Sequence, residues 1–269
     1  MNRDEKFILT ITAGSHLSVH CFMLVFPSIL LVLKNEFSVG LDVLGFIATL
    51  SALMFGIGSI PSGYFESKVG GRVLLLIYQA GTIVATMLIV MSQSLWMLAT
   101  GLALLGLFCS IYHPAGLTLI SRRISNISKG MALHGIAGSL GLALAPVITA
   151  SFTTLFSWRA AFGFLAFVNF VLAFFTFFLV PKMKKMIVKE DHRNTKVTNK
   201  MALILYYSIG IFMGITFAGF TTFLPTHFTL QTVEWAGSPT LRGGILTTLV
   251  LLSGIIGQLL GGYFGSRFD

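Results

Sequence analysis

Residues 45–68, GFIATLSALMFGIGSIPSGYFESK, align without a gap to residues 244–267, GILTTLVLLSGIIGQLLGGYFGSR, at a constant offset of 199 (244 − 45). The identities include Gly45 with Gly244, Thr49 with Thr248, Leu50 with Leu249 and Gly58 with Gly257. They close with Gly63-Tyr64-Phe65 on Gly262-Tyr263-Phe264 and Ser67 on Ser266. Apolar helices resemble one another through hydrophobicity alone, but aligned glycines and polar ends do not follow from hydrophobicity, so the second stretch reads as a repeat of the first. Pro27 and Pro225 fall at almost the same offset. A parallel repeat of this kind predicts two halves related by an axis along a membrane normal.

The solvent implied by the rest of the chain is lipid. Of 269 residues, 55% are hydrophobic and 10% charged, and the mean hydropathy is +0.88, far from a soluble domain with about a quarter of its residues charged. Stretches long enough to cross about 30 Å of hydrocarbon lie at Phe7–Leu33, Val43–Phe65, Val73–Met91, Leu95–Ile120, Met131–Phe156, Ala160–Val180, Met201–Leu224 and Gly244–Phe264. The first is too long for a signal-peptide core and lacks a small-x-small cleavage site, so it reads as a retained span. The fold class is therefore an all-α membrane protein of eight transmembrane helices.

Charge sets the orientation. With the N-terminus inside, 15 of the 18 Lys and Arg fall on inner segments and three, Lys34, Arg159 and Arg242, on outer ones. The positive-inside rule then predicts a cytoplasmic N-terminus in a bacterial inner membrane. The net charge of +9 is thus topological and no nucleic acid is expected as a partner, because a nucleic-acid reader gathers its cations on one folded face. The stretch 182–200 carries Lys182, Lys184, Lys185, Lys189, Arg193, Lys196 and Lys200 and reads as a basic cytoplasmic linker. It divides a six-helix half, 1–181, from the first two helices of a second half, 201–269.

At the end of the first copy of the repeat, the stretch Gly63-Tyr64-Phe65-Glu66-Ser67-Lys68-Val69-Gly70-Gly71-Arg72 resembles the signature between the second and third helices of the major facilitator superfamily, Gly-x-Leu-x-Asp-Arg-x-Gly-Arg-Lys. Gly63, Lys68, Gly70 and Arg72 match. Ser67 stands at the acidic position and Glu66 precedes it by one residue, a rotation of about 100° on a helix. The turn Ser157-Trp158-Arg159-Ala160-Ala161-Phe162 is similar to that family's short outer connection between helices five and six. His113-Pro114-Ala115-Gly116, with Gly135, Gly138, Gly141 and Pro146 on span five, most resembles the fosmidomycin-resistance-like branch. The resemblance implies a bundle of twelve helices, of which the chain to Asp269 carries eight, either as a fragment of a longer gene or as a product truncated as such. It also implies a gating motif of Gly63, Glu66, Lys68, Gly70 and Arg72, with Gly262 and Arg267 of the second copy, in which Glu66, Lys68 and Arg72 stabilise the outward-facing state and Gly63 and Gly70 allow the tight chain reversal. The alternative for these residues is that they only orient the loop.

Ionisable groups inside the spans are few. Apart from Glu66 at a cytoplasmic end no Asp or Glu lies there, but His16, His20, His113 and His134 do. His16 and His20 are four residues apart and share a helix face. A polar ring in hydrocarbon is costly, so all four should face the bundle interior or a wet cavity, as substrate or proton carriers or as neutral rings hydrogen-bonded to a neighbouring helix. In span five Ala137, Gly141 and Ala145 recur every fourth residue as a smooth packing ridge. Cys21 and Cys109 lie in apolar runs, and the sequence offers no metal-ligand spacing, nucleophile elbow, phosphate loop or carboxylate pair, so neither metal, cofactor nor enzymatic activity is expected.

The function expected is secondary active transport of a small organic solute by alternating access, coupled to a proton or other ion, with the bilayer as the remaining partner. The branch resemblance implies export, by antiport, of a small or drug-like compound. A non-transporting membrane sensor or scaffold with the same fold, or an inactive fragment, is the competing expectation.

Overall fold

The computed structural model describes residues 1–182, 200–231 and 237–268, the stretch 256–268 by its backbone alone. Apart from Lys182 and Lys200, the basic stretch 182–200 lies outside the described residues. Among the described residues ten helical segments follow one another: α1 (Arg3–Ser28), α2 (Leu30–Phe37), α3 (Leu41–Val69), α4 (Gly71–Val90), α5 (Leu95–Cys109), α6 (Tyr112–Arg123), α7 (Ile127–Leu155), α8 (Trp158–Leu179), α9 (Lys200–Gln231) and α10 (Pro239–Phe268). Seven spans among the described residues are long and apolar enough to cross a bilayer, and α10 is apolar over Pro239–Ile255.

Two of the expected spans are broken helices. The first divides at Ile29, whose φ of −122° and ψ of 13° interrupt the helix just after Pro27. The fourth divides between Cys109 and Tyr112, where Pro114 has no N–H to offer the carbonyl of Ser110 and its ring crowds that oxygen. Side-chain caps start several helices: Asn2 and Glu5 form a capping box on α1, and Ser94, Asn126 and Ser157 accept backbone N–H groups at α5, α7 and α8. Gly70, at φ 82°, turns the chain between α3 and α4, a backbone region that L side chains rarely adopt.

The bundle is held by close backbone approaches and a polar ladder. On α7, a side-chain carbon at Gly141 would stand 2.3 Å from the carbonyl oxygen of Leu17, so α1 lies directly on this position. Ala137 and Ala145 are buried on the same face, and Gly244 of α10 meets the other side of α7, 2.8 Å in the same sense from the carbonyl oxygen of Pro146. Gly135 is the exception to the expected packing set: it is exposed and nothing lies within 4 Å of where its side chain would begin. Between α1, α4 and α8, Ser18 Oγ donates to Asn169 Oδ1 at 2.7 Å, and Asn169 Nδ2 donates to Thr82 Oγ1 at 2.7 Å. Gln79 Nε2 donates to Ser15 Oγ at 3.2 Å and to Thr176 Oγ1 at 2.9 Å. The outer faces are the reverse of a soluble protein's, with Phe167, Phe170, Phe174, Phe177 and Phe178 of α8 all exposed. With every helix closing its own hydrogen bonds, such a surface suits hydrocarbon, and the chain is a multi-pass membrane protein.

Candidate functional site

His16 and His20 lie one turn apart on α1, the helix most enclosed by the others. His113 enters from the first turn of α6, placed there by the break at Ser110–Ile111, and His134 from the first third of α7. The structure brings all four together. The His16 ring stacks on His134 with centroids 3.7 Å apart, and lies 4.7 Å from His20 and 5.2 Å from His113. Stacking at 3.7 Å is possible because Gly138 has no side chain: a carbon there would stand 2.4 Å from the His16 ring.

The hydrogen bonds fix the protons. The backbone oxygen of His134 only accepts, so His16 Nδ1, 2.6 Å away, carries a hydrogen and leaves Nε2 bare. His20 Nε2, 3.0 Å from that bare nitrogen, must then donate to it, which leaves His20 Nδ1 without a proton. Tyr112 gives its one hydroxyl hydrogen to the carbonyl of Thr12 at 2.6 Å, so its oxygen accepts from His134 Nδ1 at 3.2 Å. Two ring nitrogens of the cluster have no partner: His20 Nδ1 and His113 Nδ1 are both buried and unbonded. These assignments follow from the network. The cluster therefore holds one buried acceptor nitrogen, His20 Nδ1, at the end of a chain of polarised bonds, and a second buried, unbonded ring nitrogen, His113 Nδ1.

Above the cluster, away from the N-terminal end, lies a cavity of about 400 Å³ between α1, α3, α5, α7 and α9. Phe22, Phe26, Phe55 and Cys109 give it an apolar wall, with Ser51 and Thr221 as polar points. Phe55 also meets His113 edge-on at 6.1 Å, so the cavity floor and the cluster share a boundary. An apolar chamber with a few placed polar groups is the usual form of a small-molecule site. Broken helices at mid-membrane are likewise where transporters build theirs.

The residues of the signature stretch lie elsewhere, at the N-terminal end of the bundle. Glu66, 5% exposed, meets Arg122 of α6 at 3.4 Å, not Lys68 or Arg72. The buried Arg72 donates from Nη2 to the carbonyl of Phe177 at 2.6 Å, closing the C-terminal turn of α8. Lys68 Nζ lies 4.3 Å over the Tyr64 ring, and Gly63 has open space around it. The Glu66 and Arg72 contacts join helices of the first six spans, and the Lys68 contact stays within α3. Gly262 and Arg267 lie beyond the residues whose side chains are described. At the other end, Glu36 accepts from Trp158 Nε1 at 2.6 Å and pairs with Arg159 at 2.8 Å, and Arg159 donates to the Ser92 carbonyl at 2.8 Å. That clasp ties the end of α2, the start of α8 and the connection between α4 and α5 together.

Sequence reasoning missed Tyr112, Arg122 and the Gln79–Asn169 ladder. Tyr112 had a signal, a phenol inside an apolar run next to the His-Pro pair. Arg122 had none, because its partner is set by how two helices pack.

A family model described as Major Facilitator Superfamily matches residues 11–269. The D-galactonate transporter of Escherichia coli O6:H1 is 22% identical over 261 residues, which cover 86% of this chain and 60% of that protein. The chain thus spans less than two thirds of that relative's length. Among solved structures, the D-xylose-proton symporter superposes with a TM-score of 0.75 at 12% identity, over 97% of this chain and 69% of the symporter. A peptide transporter solved with sulfate gives 0.68 at 11% identity, over 97% and 69% of the two chains. At these identities the likeness is one of fold.

Proposed function

Because the chain belongs to the Major Facilitator Superfamily, we propose that it is a secondary active transporter of a small organic solute, working by alternating access with proton coupling through the histidine cluster. The observation that carries this reading is the placement of four histidines and Tyr112 at a helix break directly beneath an apolar chamber. A solute with an apolar body fits the chamber walls. Its polar end would meet Ser51 and Thr221, with the histidine cluster next to the chamber at Phe55. Protonation of His20 Nδ1 or His113 Nδ1 would put charge under the chamber and bias the helices that carry it. The name of the D-xylose-proton symporter supports coupling to protons, and that of the D-galactonate transporter supports a polar organic solute.

In this reading the N-terminus and the stretch 182–200 face the cytoplasm of a bacterial inner membrane, and that stretch links two helical halves. Glu66 with Arg122, and Arg72 with the end of α8, brace the cytoplasmic side of the first half as a rigid body, against which α10 moves along α7. Solute direction follows the gradients imposed, and the branch resemblance favours export.

The test is flux. The protein as its gene encodes it is sealed into liposomes with a pH-sensitive dye, and a panel of small organic solutes is applied. At least one solute should drive proton movement. His20→Ala should lose that movement at least about tenfold while inserting normally. Solute flux that leaves the proton signal flat, or that is unchanged in His20→Ala, would refute coupling through the cluster.

A further inference from the structure

Proton carriage uses the nitrogens of the cluster one at a time, but their mutual distances allow a second chemistry. One ring nitrogen from each of His16, His20 and His113 lies within 4.8 Å of the others. His16 Nε2 and His20 Nε2 are already 3.0 Å apart. In a tetrahedral zinc site, with Zn–N of about 2.0–2.1 Å, ligand nitrogens stand about 3.3 Å from one another. The separation of the two α1 nitrogens is therefore close to the bound one, and the third must move by an ångström or so.

We propose that His16, His20 and His113 bind a divalent first-row transition-metal ion, with zinc as its simplest representative. This rests on the reading of the cluster as a pathway floor that solutes and ions reach from the chamber. Three features beyond spacing support it. His16 Nδ1 donates to the His134 carbonyl at 2.6 Å, the outer hydrogen bond that fixes a ligating histidine's tautomer and aims its other nitrogen at a metal. His113 Nδ1 is buried with no partner, an arrangement costly for a polar atom unless something fills it. The third ligand comes from the half-helix α6, so an ion would pin that element to α1.

His134 is not in the ligand set. Its ring stacks on His16 and its Nδ1 is held by Tyr112, so it serves as a wall. Three imidazoles leave a fourth position open, the pattern of sites that exchange a ligand. Among the described residues no carboxylate joins the three histidines. The ion's charge in this dry setting must then be met by an anionic fourth ligand, hydroxide or the carboxylate of a solute entering from the chamber. Bound metal and coupling protons would compete for the same rings, because only neutral imidazole ligates.

The full chain, purified through a tag free of histidine, would be titrated with zinc against a fluorescent chelator, and the zinc-loaded protein examined by X-ray absorption. One ion per chain is expected, in a nitrogen shell at about 2.0–2.1 Å. His16→Ala, His20→Ala and His113→Ala should each weaken binding at least about tenfold, while His227→Ala, on α9, leaves it unchanged. To separate lost ligation from lost folding, His113→Cys should retain binding and add a sulfur neighbour at about 2.3 Å. No stoichiometric binding, or binding that survives all three alanine replacements, would overturn the site. Absence of zinc binding alongside proton-coupled flux lost in His20→Ala would remove the metal site and leave the transport reading intact. Zinc binding without any flux would do the reverse.

Discussion

Three glycines of α7 that look alike in sequence have different surroundings. At Gly138 a side chain would enter the His16 ring, at Gly141 it would enter the backbone of α1, and at Gly135 it would meet nothing. Alanine at Gly135 should therefore be neutral or slightly stabilising, since it improves helix propensity by up to about 1 kcal/mol. At Gly141, where the obstacle is main chain, alanine must push α1 and α7 apart and should cost about 1–3 kcal/mol, visible as a lower unfolding temperature in detergent. At Gly138 the obstacle is a ring that can swing, so alanine should cost less stability than at Gly141 while breaking the His16–His134 stack and lowering flux about tenfold. Equal losses at all three positions would show that the contacts along α7 are not those described. The four histidines were legible in the sequence because a ring in hydrocarbon must turn toward protein or water. That they form one cluster was not, since His113 and His134 meet His16 only after α6 and α7 have packed on α1.

At the scale of elements, the breaks matter more than the helices. Hydropathy gives the spans by length, and the seven that are long and apolar enough to cross among the described residues were legible to within a few residues at most ends, but it averages over a break. Pro27 and Pro114 were visible as residues; what Pro114 does, dividing α5 from α6 and delivering Tyr112 and His113 to the core, depends on which neighbouring groups take over the freed carbonyl. Restoring an N–H there has a definite expected result. Pro114→Ala should allow the Ser110 carbonyl to be bonded and the two segments to join, raising the unfolding temperature or leaving it unchanged, while flux falls because His113 is re-aimed. A drop in both stability and flux would mean that the proline is needed for packing alone. The polar ladder of Gln79, Asn169, Ser15, Ser18, Thr82 and Thr176 was likewise unreadable in advance. Its members are single uncharged residues on three helices, and nothing along the chain says that they face one another.

The whole molecule sets an apolar chamber next to the histidine cluster, with Phe55 touching both, and ion pairs at both ends of the bundle. The internal repeat and the charge count led to the fold class and to an orientation, with the cytoplasmic placement of the basic stretch as its sharpest consequence. A cysteine replacing Lys189 should react with impermeant maleimide in inside-out vesicles and not in intact cells, and the opposite result would invert the topology. The central claim is that the chamber and the histidine cluster belong to one pathway opened alternately to either side, as a transporter requires and a static sensor does not. Its most direct test is a single cysteine at Ser51, on the chamber wall, with Cys21 and Cys109 replaced by serine, labelled by impermeant maleimide in intact cells and in inside-out vesicles. Labelling from both sides, slowed together when the cluster is altered by His16→Ala, is the predicted result. Labelling from one side only, at a rate indifferent to the cluster, would contradict it.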